Sequence, residues 1–222
     1  MGALYIYLSW GARGTRIEDN FIHHIQSPLG GRVHGVYLDG TTSGPVVARN
    51  LFYEINPGIA LFYNGGRDVE MVNNIFVGNG TAFLTNAKAS EFDCSSQNFN
   101  SILSTLEYFN YQSNPWASAY PRLAAMPATC EEYEANPHWL CPEGNVYSRN
   151  VGFSNLKWIS SKDYSSCDPT LEEYEEVSGN LEDTDPLFVD EANLDFTLQP
   201  DSPLRAIEGF ESYRFEEIGP RR

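Results

Sequence analysis

Short apolar runs recur at a nearly constant interval within residues 1–90. Three of them, Gly35–Asp39, Gly58–Phe62 and Gly80–Leu84, follow one another at almost equal steps of about two dozen positions each. A coil of that length supplies short strands but cannot bury its own apolar face, whereas stacked coils bury a continuous core. The period therefore predicts a solenoid in which successive coils pair in parallel, with these three runs aligned.

A second periodic series consists of asparagines that each precede apolar residues. Asn20, Asn50 and Asn74 belong to it, and Asn145 and Asn150 resume the pattern. The interval from Asn20 to Asn50 is longer than that from Asn50 to Asn74, which fits a short insertion between the first two coils. Asparagine tolerates a left-handed turn conformation, and stacked asparagine side chains can hydrogen-bond to one another. The series therefore predicts an asparagine ladder along the solenoid.

The two series together favour an all-β fold, a single-stranded solenoid of the right-handed parallel β-helix type. The alternative is an ordinary β-sandwich, which would place turn signals roughly every 8–12 residues. Leucine-rich repeats have a similar period, but the chain lacks their L-x-x-L-x-L pattern. We therefore expect a parallel β-helix with an irregular, partly helical insertion.

The period breaks after residue 88 and resumes near Asn145. Within the break, Ile102–Asn110 has apolar residues at helical spacing, which predicts a short amphipathic helix. The P-W-x-x-x-Y-P-x-L stretch at Pro115–Leu123 predicts a packed loop. The expected organisation is one domain over 1–222, with coils in 1–88, an inserted lid or side wall in 89–144, and the last coils and a C-terminal cap in 145–222.

Charge and hydropathy restrict the classes of partner. The net charge of −16 argues against nucleic acid, whose backbone would repel the chain. Residues 1–90 carry six acidic and six basic side chains, so the whole excess lies in the second part. No stretch approaches the ~20 apolar residues of a membrane span, and the first ten residues lack the basic region of a signal peptide. We expect neither a nucleic acid nor a membrane as partner.

The four cysteines, Cys94, Cys130, Cys141 and Cys167, all lie in the irregular second part of the chain. None belongs to a C-x-x-C pair and no histidine stands at ligand spacing from them, which argues against a zinc site. Disulfides would constrain long loops most effectively, and they form in secreted proteins. We therefore expect two disulfides in a secreted protein, with all three connectivities open, and no metal or other cofactor.

Several stretches resemble bacterial-type right-handed β-helix proteins related to glycoside hydrolase family 141, in their C-terminal part. The matching segments are I-E-D-N-F-I-H-H at Ile17, H-G-V-Y-L-D-G at His34, N-G-G-R-D at Asn64, V-N-N-I-F-V at Val72, P-W-x-x-x-Y-P-x-L at Pro115, D-P-L-F-V-D at Asp185 and the final G-F…E-E-I-G from Gly209. The resemblance implies a protein that acts on plant polysaccharides, as fucosidases or xylanases do. Because the chain opens inside the helix, we also expect missing N-terminal coils or another chain to cover the first edge.

Two aspartates interrupt the repeat and are the predicted catalytic pair. Glycoside hydrolysis generally uses two carboxyl groups that flank the scissile bond. Asp39 ends a repeat strand where the next coil has the uncharged Phe62, and Asp68 stands where earlier coils have Gly14 and Gly44. Positions that break a repeat often carry function. The alternative is that both aspartates simply cap turns.

Six further side chains near these coils are predicted to bind substrate. Histidines could orient a carboxyl group or hydrogen-bond a sugar hydroxyl, an arginine could bind substrate or lower the pKa of Asp68, and aromatic rings could stack on sugar rings. Each also has a structural alternative, as a buried histidine, a surface ion pair or a packing residue. The predicted residues are His24, His34, Tyr37, Tyr63, Arg67 and Trp116.

The function predicted from these observations is a secreted glycoside hydrolase that degrades a polysaccharide in a groove on the β-helix wall. One alternative is a lyase or epimerase acting on polyuronates, which would need basic residues to neutralise the substrate carboxylate. Residues 1–90 have balanced charge and no Lys/Arg cluster, which disfavours it. The other alternative is a non-catalytic carbohydrate-binding solenoid, since β-helices host many activities.

Overall fold

The computed structural model describes residues 1–93, 95–162 and 176–214, together with Cys167 and Ile218. In these residues the chain winds through four rungs of three strands and begins a fifth. The strands are β1 (Gly2–Tyr7), β2 (Arg16–Glu18) and β3 (Phe21–His23) in the first rung, β4 (Val33–Asp39), β5 (Val46–Ala48) and β6 (Leu51–Tyr53) in the second, β7 (Gly58–Tyr63), β8 (Glu70–Val72) and β9 (Ile75–Val77) in the third, β10 (Thr81–Asn86), β11 (Val146–Ser148) and β12 (Val151–Phe153) in the fourth, and β13 (Ile159–Lys162) in the fifth.

Corresponding strands of successive rungs pair in parallel and form three sheets. Sheet 1 has the order β1-β4-β7-β10-β13, sheet 2 has β2-β5-β8-β11, and sheet 3 has β3-β6-β9-β12. Isolated parallel bridges from Val146 to Glu176 and from Val151 to Leu181 extend sheets 2 and 3 into the fifth rung. The parallel solenoid predicted from the period is confirmed.

The predicted register holds for one step and is wrong for the other. Ile59 pairs with Thr81, as the alignment of Gly58 with Gly80 predicts. His34, however, pairs with Ile59 and not with Pro57, so the first step is longer than predicted by two positions. Gly58 accordingly begins β7 opposite Val33. Side chains alternate between the two faces of a strand, so a shift by two positions keeps each one on its predicted face. The fold was therefore predicted correctly despite the error in register.

The core runs along the axis of the solenoid, between the three sheets. Equivalent side chains of neighbouring rungs stack on one another there, with the rings of Phe52 and Phe76 4.9 Å apart and nearly parallel. Within the fourth rung, Phe83 of sheet 1 stacks on Tyr147 of sheet 2 at 4.5 Å. All four side chains are fully buried, so repetition of the coil produces a continuous apolar column.

The predicted asparagine ladder lies at the turn between sheets 2 and 3. The side-chain amides of the first four members each donate to the Oδ1 of the ladder residue in the next rung, at 2.9 to 3.1 Å. Each also donates to a backbone carbonyl, as Asn50 does to Ile17. The members among the described residues are Asn20, Asn50, Asn74, Asn150 and Asn180.

Two details of the ladder differ from the prediction. Asn145 is not a member, because its Oδ1 accepts from the backbone N–H of Val69 and from the Tyr63 hydroxyl. The left-handed conformation also belongs to the residue before each of the first four ladder asparagines. These residues, with φ between 52° and 59°, are Asp19, Arg49, Asn73 and Arg149.

The insertion between β10 and β11 is helical and has its own apolar core. Its helices are α1 (Gln97–Phe109), α2 (Trp116–Ala119), α3 (Pro121–Ala124) and α4 (Cys130–Ala135). The helix predicted over Ile102–Asn110 is confirmed as part of α1, which begins earlier, at the Ser96 cap, and buries Phe99, Ile102 and Leu106. The stretch predicted as a packed loop instead forms the two short helices α2 and α3.

The insertion leaves the fourth rung but contacts the first. Trp10, in the turn after β1, is buried among the apolar side chains of the insertion, 6.2 Å from the Phe99 ring and 5.9 Å from the Tyr133 ring. Its indole N–H donates to Thr41 Oγ1 of the second rung at 2.7 Å. The insertion therefore covers the turns that connect sheet 1 to sheet 2.

The described part of the closing segment lies against the outer face of sheet 3. Strands β14 (Phe188–Asp190) and β15 (Asp195–Leu198) form an antiparallel pair. The Phe196 ring of β15 contacts Phe21 at 5.0 Å and Tyr53 at 4.8 Å. Among the helices of the described residues, none combines the length and apolarity that crossing a bilayer requires.

Cys141 and Cys167 form a disulfide, which joins the end of the insertion to the segment after β13. Cys130 is also disulfide-bonded, and Cys94 lies outside the described residues. The Cys141–Cys167 bond selects one of the three connectivities that the sequence left open.

Candidate functional site

The outer face of sheet 1 carries a continuous aromatic column. Tyr5, Tyr37 and Phe62 lie opposite one another on the first three rungs, and Leu84 and Ser160 continue the column on the fourth and fifth. Tyr37 stacks on Phe62 with ring centroids 4.4 Å apart, and Tyr5 meets Tyr37 edge-on at 5.3 Å. The column is half-buried to exposed, so its rings form an accessible apolar surface.

A polar column runs beside the aromatic one, at the ends of the same strands. Asp39 lies opposite Tyr7 of the first rung. Because Leu38 pairs with Tyr63, the counterpart of Asp39 in the third rung is Asn64. The predicted counterpart, Phe62, is therefore wrong, and the error follows from the unexpectedly long first step.

Asp39 accepts hydrogen bonds on both carboxylate oxygens. The Tyr5 hydroxyl donates to Oδ2 at 2.7 Å, while the Gly40 N–H and the Asn64 amide donate to Oδ1 at 2.7 and 2.5 Å. Burial alone would raise the pKa of Asp39, but the donors Tyr5, Asn64, Tyr37 and Gly40 outweigh it and hold the pKa below its ordinary value. The carboxylate is therefore ionised and partly exposed at the edge of the aromatic column.

His34 packs against the same column from the second rung. Its ring lies 4.8 Å from Tyr37 and 5.2 Å from Phe62, and the residue is 6% exposed. Burial, together with the positive charge of Arg32, lowers the pKa of His34 to about 4. His34 therefore supports the column as a neutral ring. The structure thus brings together three of the predicted site residues: Asp39, His34 and Tyr37.

Asp68 lies in a different hydrogen-bond network. Its Oδ2 is 2.6 Å from the Arg13 guanidinium and its Oδ1 is 3.6 Å from that of Arg122, and its side chain is 15% exposed. Asp39 and Asp68 share no hydrogen-bond partner among the described residues. The predicted equivalence with Gly14 and Gly44 is confirmed, since all three residues have positive φ. In this structure Asp68 joins the first rung to the insertion through two arginines.

For two of the residues predicted to bind substrate, burial contradicts the predicted contact. Tyr63 is fully buried and its hydroxyl donates to Asn145 Oδ1 at 3.1 Å, so its ring faces the core and cannot stack on a sugar. Arg67 is 7% exposed and donates to the Cys141 carbonyl at 3.0 Å. It pairs with Glu143, not with Asp68, and it holds the insertion in place.

The other two lie away from the outer face of sheet 1. Trp116 stacks on Phe109 at 5.1 Å within the apolar core of the insertion, which is a packing role. His24 follows β3 at the opposite end of the rung, and its Nε2 lies 2.7 Å from Glu54. Neither residue is in contact with Asp39 or with the aromatic column.

The prediction missed Tyr5, Phe62 and Asn64, which contact its own candidates. A register that allowed for the longer first step would have aligned Tyr37 with Phe62 and Asp39 with Asn64. Within the described residues, no group of three His, Cys, Asp or Glu side chains could hold a metal ion.

Comparison with known proteins supports the fold. Residues 4–99 match a family model described as a right handed beta helix region. No curated protein and no solved structure matched the chain. The matched residues cover the first three rungs and β10 in the fourth, which include Asp39, His34 and the aromatic column.

Proposed function

Because the chain is a right-handed parallel β-helix, we propose that it binds an extended saccharide along the outer face of sheet 1, and that Asp39 acts there as a carboxylate of a glycoside hydrolase. The observation that carries this proposal is the column of Tyr5, Tyr37 and Phe62 with the ionised Asp39 beside it. The resemblance to glycoside hydrolase family 141 supports the same class of reaction.

The column suits a saccharide for geometric reasons. Neighbouring strands lie about 4.8 Å apart, which is comparable with the rise of one pyranose residue in an extended chain, so each rung can present one contact to one sugar. Tyrosine and phenylalanine rings offer a flat apolar surface, and tyrosine adds a hydroxyl that can hydrogen-bond. Apolar walls with a few placed polar groups are typical of ligand sites.

The environment of Asp39 fits one of the two carboxyl roles in glycoside hydrolysis. The donors that lower its pKa stabilise the carboxylate, which is the form required of a nucleophile or base and not of a general acid. A carboxylate has about four acceptor sites, so Oδ2, which accepts from Tyr5, can also accept from a sugar hydroxyl or face the reacting carbon.

The proposal is tested by assaying Asp39→Asn and Tyr37→Ala on a panel of plant polysaccharides. We expect Asp39→Asn to lower kcat by about 10³-fold with little change in binding, because it removes the charge and retains the shape. Tyr37→Ala should weaken binding. Asp19→Asn, at an exposed turn between sheets 2 and 3, is the matched control and should behave as wild type. Full activity of Asp39→Asn with a normal thermal transition contradicts the assignment.

A non-catalytic saccharide-binding solenoid is the second candidate function. The ion pairs of Asp68 favour it, because they leave Asp39 without a second carboxyl group in its hydrogen-bond network among the described residues. This candidate predicts that wild type binds a polysaccharide and releases no reducing ends, and that Asp39→Asn alters binding alone.

We also propose that the protein is secreted. The Cys141–Cys167 disulfide supports this, because structural disulfides persist in oxidising compartments. Alkylation of the protein in extracts of its native source should leave Cys141 and Cys167 unmodified until a reductant is added.

A further inference from the structure

The aromatic column ends in a cleft where the strands of sheet 1 begin. The cleft has a volume of about 370 Å³, and Leu84 and Ser160, the last members of the column, line it. Arg32, before β4, and Lys157, before β13, also line it. The cleft therefore runs beside the proposed saccharide groove, along the starts of the sheet 1 strands from the second rung to the fifth.

Arg32 and Lys157 differ from most other cations of the chain. Seven described lysine and arginine side chains form ion pairs with carboxylates: Arg13, Arg16, Arg49, Arg67, Lys88, Arg122 and Arg149. Arg32 and Lys157 have no carboxylate within ion-pair distance in the part of the chain that the structure describes. Both residues are exposed, and the Lys157 ammonium donates to Ser160 Oγ at 3.0 Å.

The cleft has no acidic lining residue among those described, although the chain as a whole has a net charge of −16. An unneutralised pair of cations in such a chain attracts anions to that point of the surface. A guanidinium presents several donors in a plane that matches a carboxylate, and an ammonium adds a second charge. The Thr81 and Ser160 hydroxyls in the same cleft can bond to sugar oxygens.

We propose that Arg32 and Lys157 form an anion-binding subsite that takes the carboxylate of a uronic acid residue in the saccharide. The inference rests on the proposed saccharide groove and names its substrate class as an acidic polysaccharide. Neutral sugar rings lie on the aromatic column, while the uronate lies in the cationic cleft beside it. The two cations come from the second and fifth rungs and are far apart in sequence, so no local cluster reveals them.

The test compares matched pairs of ligands by calorimetry on the full chain. The probes are an oligogalacturonate and a glucuronate-substituted xylo-oligosaccharide, each with its carboxyl-reduced counterpart. A charge-assisted contact should favour the acidic member of a pair by about tenfold at low salt. We expect Arg32→Gln and Lys157→Gln each to remove most of that preference. Arg16→Gln, which removes an exposed charge from sheet 2, is the matched control and should retain it.

The outcomes separate this inference from the proposed function. Equal binding of acidic and reduced ligands, or a preference that survives both substitutions, overturns the subsite and leaves the groove intact. Tighter binding of a sulfated oligosaccharide than of either uronate overturns the carboxylate assignment. Loss of turnover of a neutral glycan in Asp39→Asn, but not in Arg16→Gln, supports the groove independently. Binding of uronates that is abolished by Lys157→Gln, with no turnover of any glycan, supports the subsite and contradicts hydrolysis.

Discussion

At the scale of single residues, the ladder asparagines show how the solenoid satisfies its buried polar groups. The amide of Asn74 donates to Asn150 Oδ1 and to the Val47 carbonyl, while its own Oδ1 accepts from the side chain and the backbone N–H of Asn50. A buried polar group without a partner costs about 1–3 kcal/mol. Each asparagine therefore supports two neighbouring rungs at once.

Asn74→Ala should destabilise the fold by about 3 kcal/mol, because it removes the bonds of the Asn74 side chain to the Val47 carbonyl, to Asn150 Oδ1 and to the side-chain and backbone N–H groups of Asn50. Urea denaturation followed by circular dichroism measures the change. Asn20→Ala is the matched control, since Asn20 is at the end of the ladder and only half-buried, and we expect a smaller loss. An equal loss in both variants would contradict a cooperative role for the ladder.

His34 should remain neutral until the pH falls to about 4, because burial lowers its pKa to about that value. The unfolded chain takes up the same proton near pH 6.5, so stability is full above that pH and declines as the pH falls toward 4. Nuclear magnetic resonance titration of the imidazole gives the midpoint directly. A midpoint near 6.5 would show that the ring is not buried beneath the aromatic column.

At the scale of elements, the insertion is held to the coils by buried charges. Asp68 contacts Arg13 of the first rung, whose side chain is 4% exposed, and Arg122 of α3. Arg67 extends over the Trp139 ring and pairs with Glu143. Arg67 and Asp68 lie in the turn just before β8. The insertion is therefore attached through a turn of the solenoid and not through its sheets.

Asp68→Asn should therefore act on stability, by about 3–5 kcal/mol, because it leaves the buried Arg13 guanidinium without its counter-charge. Differential scanning calorimetry would show a lower Tm. Asp39→Asn is the comparison, and it should change Tm less because Asp39 is partly exposed. A similar Tm for wild type and Asp68→Asn, accompanied by lost turnover, would favour the predicted catalytic role of Asp68 over a structural one.

The sequence predicted the elements better than the site, because the patterns that indicate the fold recur in several coils whereas those that locate the site occur once. The asparagine series and the apolar period repeat through stacked coils, so several positions reported the same fold. The longer first step occurs once, and the apparent alignment of Gly35 with Gly58 concealed it. Tyr63 and Phe62 are adjacent but face opposite sides of the strand. The inward-facing Tyr63 could therefore be predicted in place of the outward-facing Phe62 although the fold was predicted correctly.

At the scale of the whole molecule, charge and covalent bonds are unevenly distributed. Residues 1–90 are neutral, and the net negative charge lies in the insertion and the closing segments. The Cys141–Cys167 disulfide links cysteines separated by 26 residues in this acidic part and connects the insertion to the segment after β13. The disulfide therefore opposes the electrostatic repulsion between the acidic side chains of this part of the chain.

Replacing both cysteines in Cys141→Ser/Cys167→Ser should cost about 3 kcal/mol, as expected for a loop of this length. The loss should be larger at low ionic strength, because salt screens the repulsion between acidic side chains. Thermal unfolding at two salt concentrations measures both effects. Unchanged stability of the double variant would show that noncovalent contacts alone hold the insertion.

The burial of Trp10 beneath a segment that leaves the fourth rung has a consequence for how the molecule comes apart. An ordinary repeat protein can fray from its ends, because each unit interacts only with its neighbours. Here Trp10 of the first rung packs inside the helical segment that leaves the fourth rung. Opening the first rung therefore also exposes the interior of that segment. Hydrogen exchange should therefore release the amides of β1 and α1 in a single concerted event, and not as a gradient along the axis.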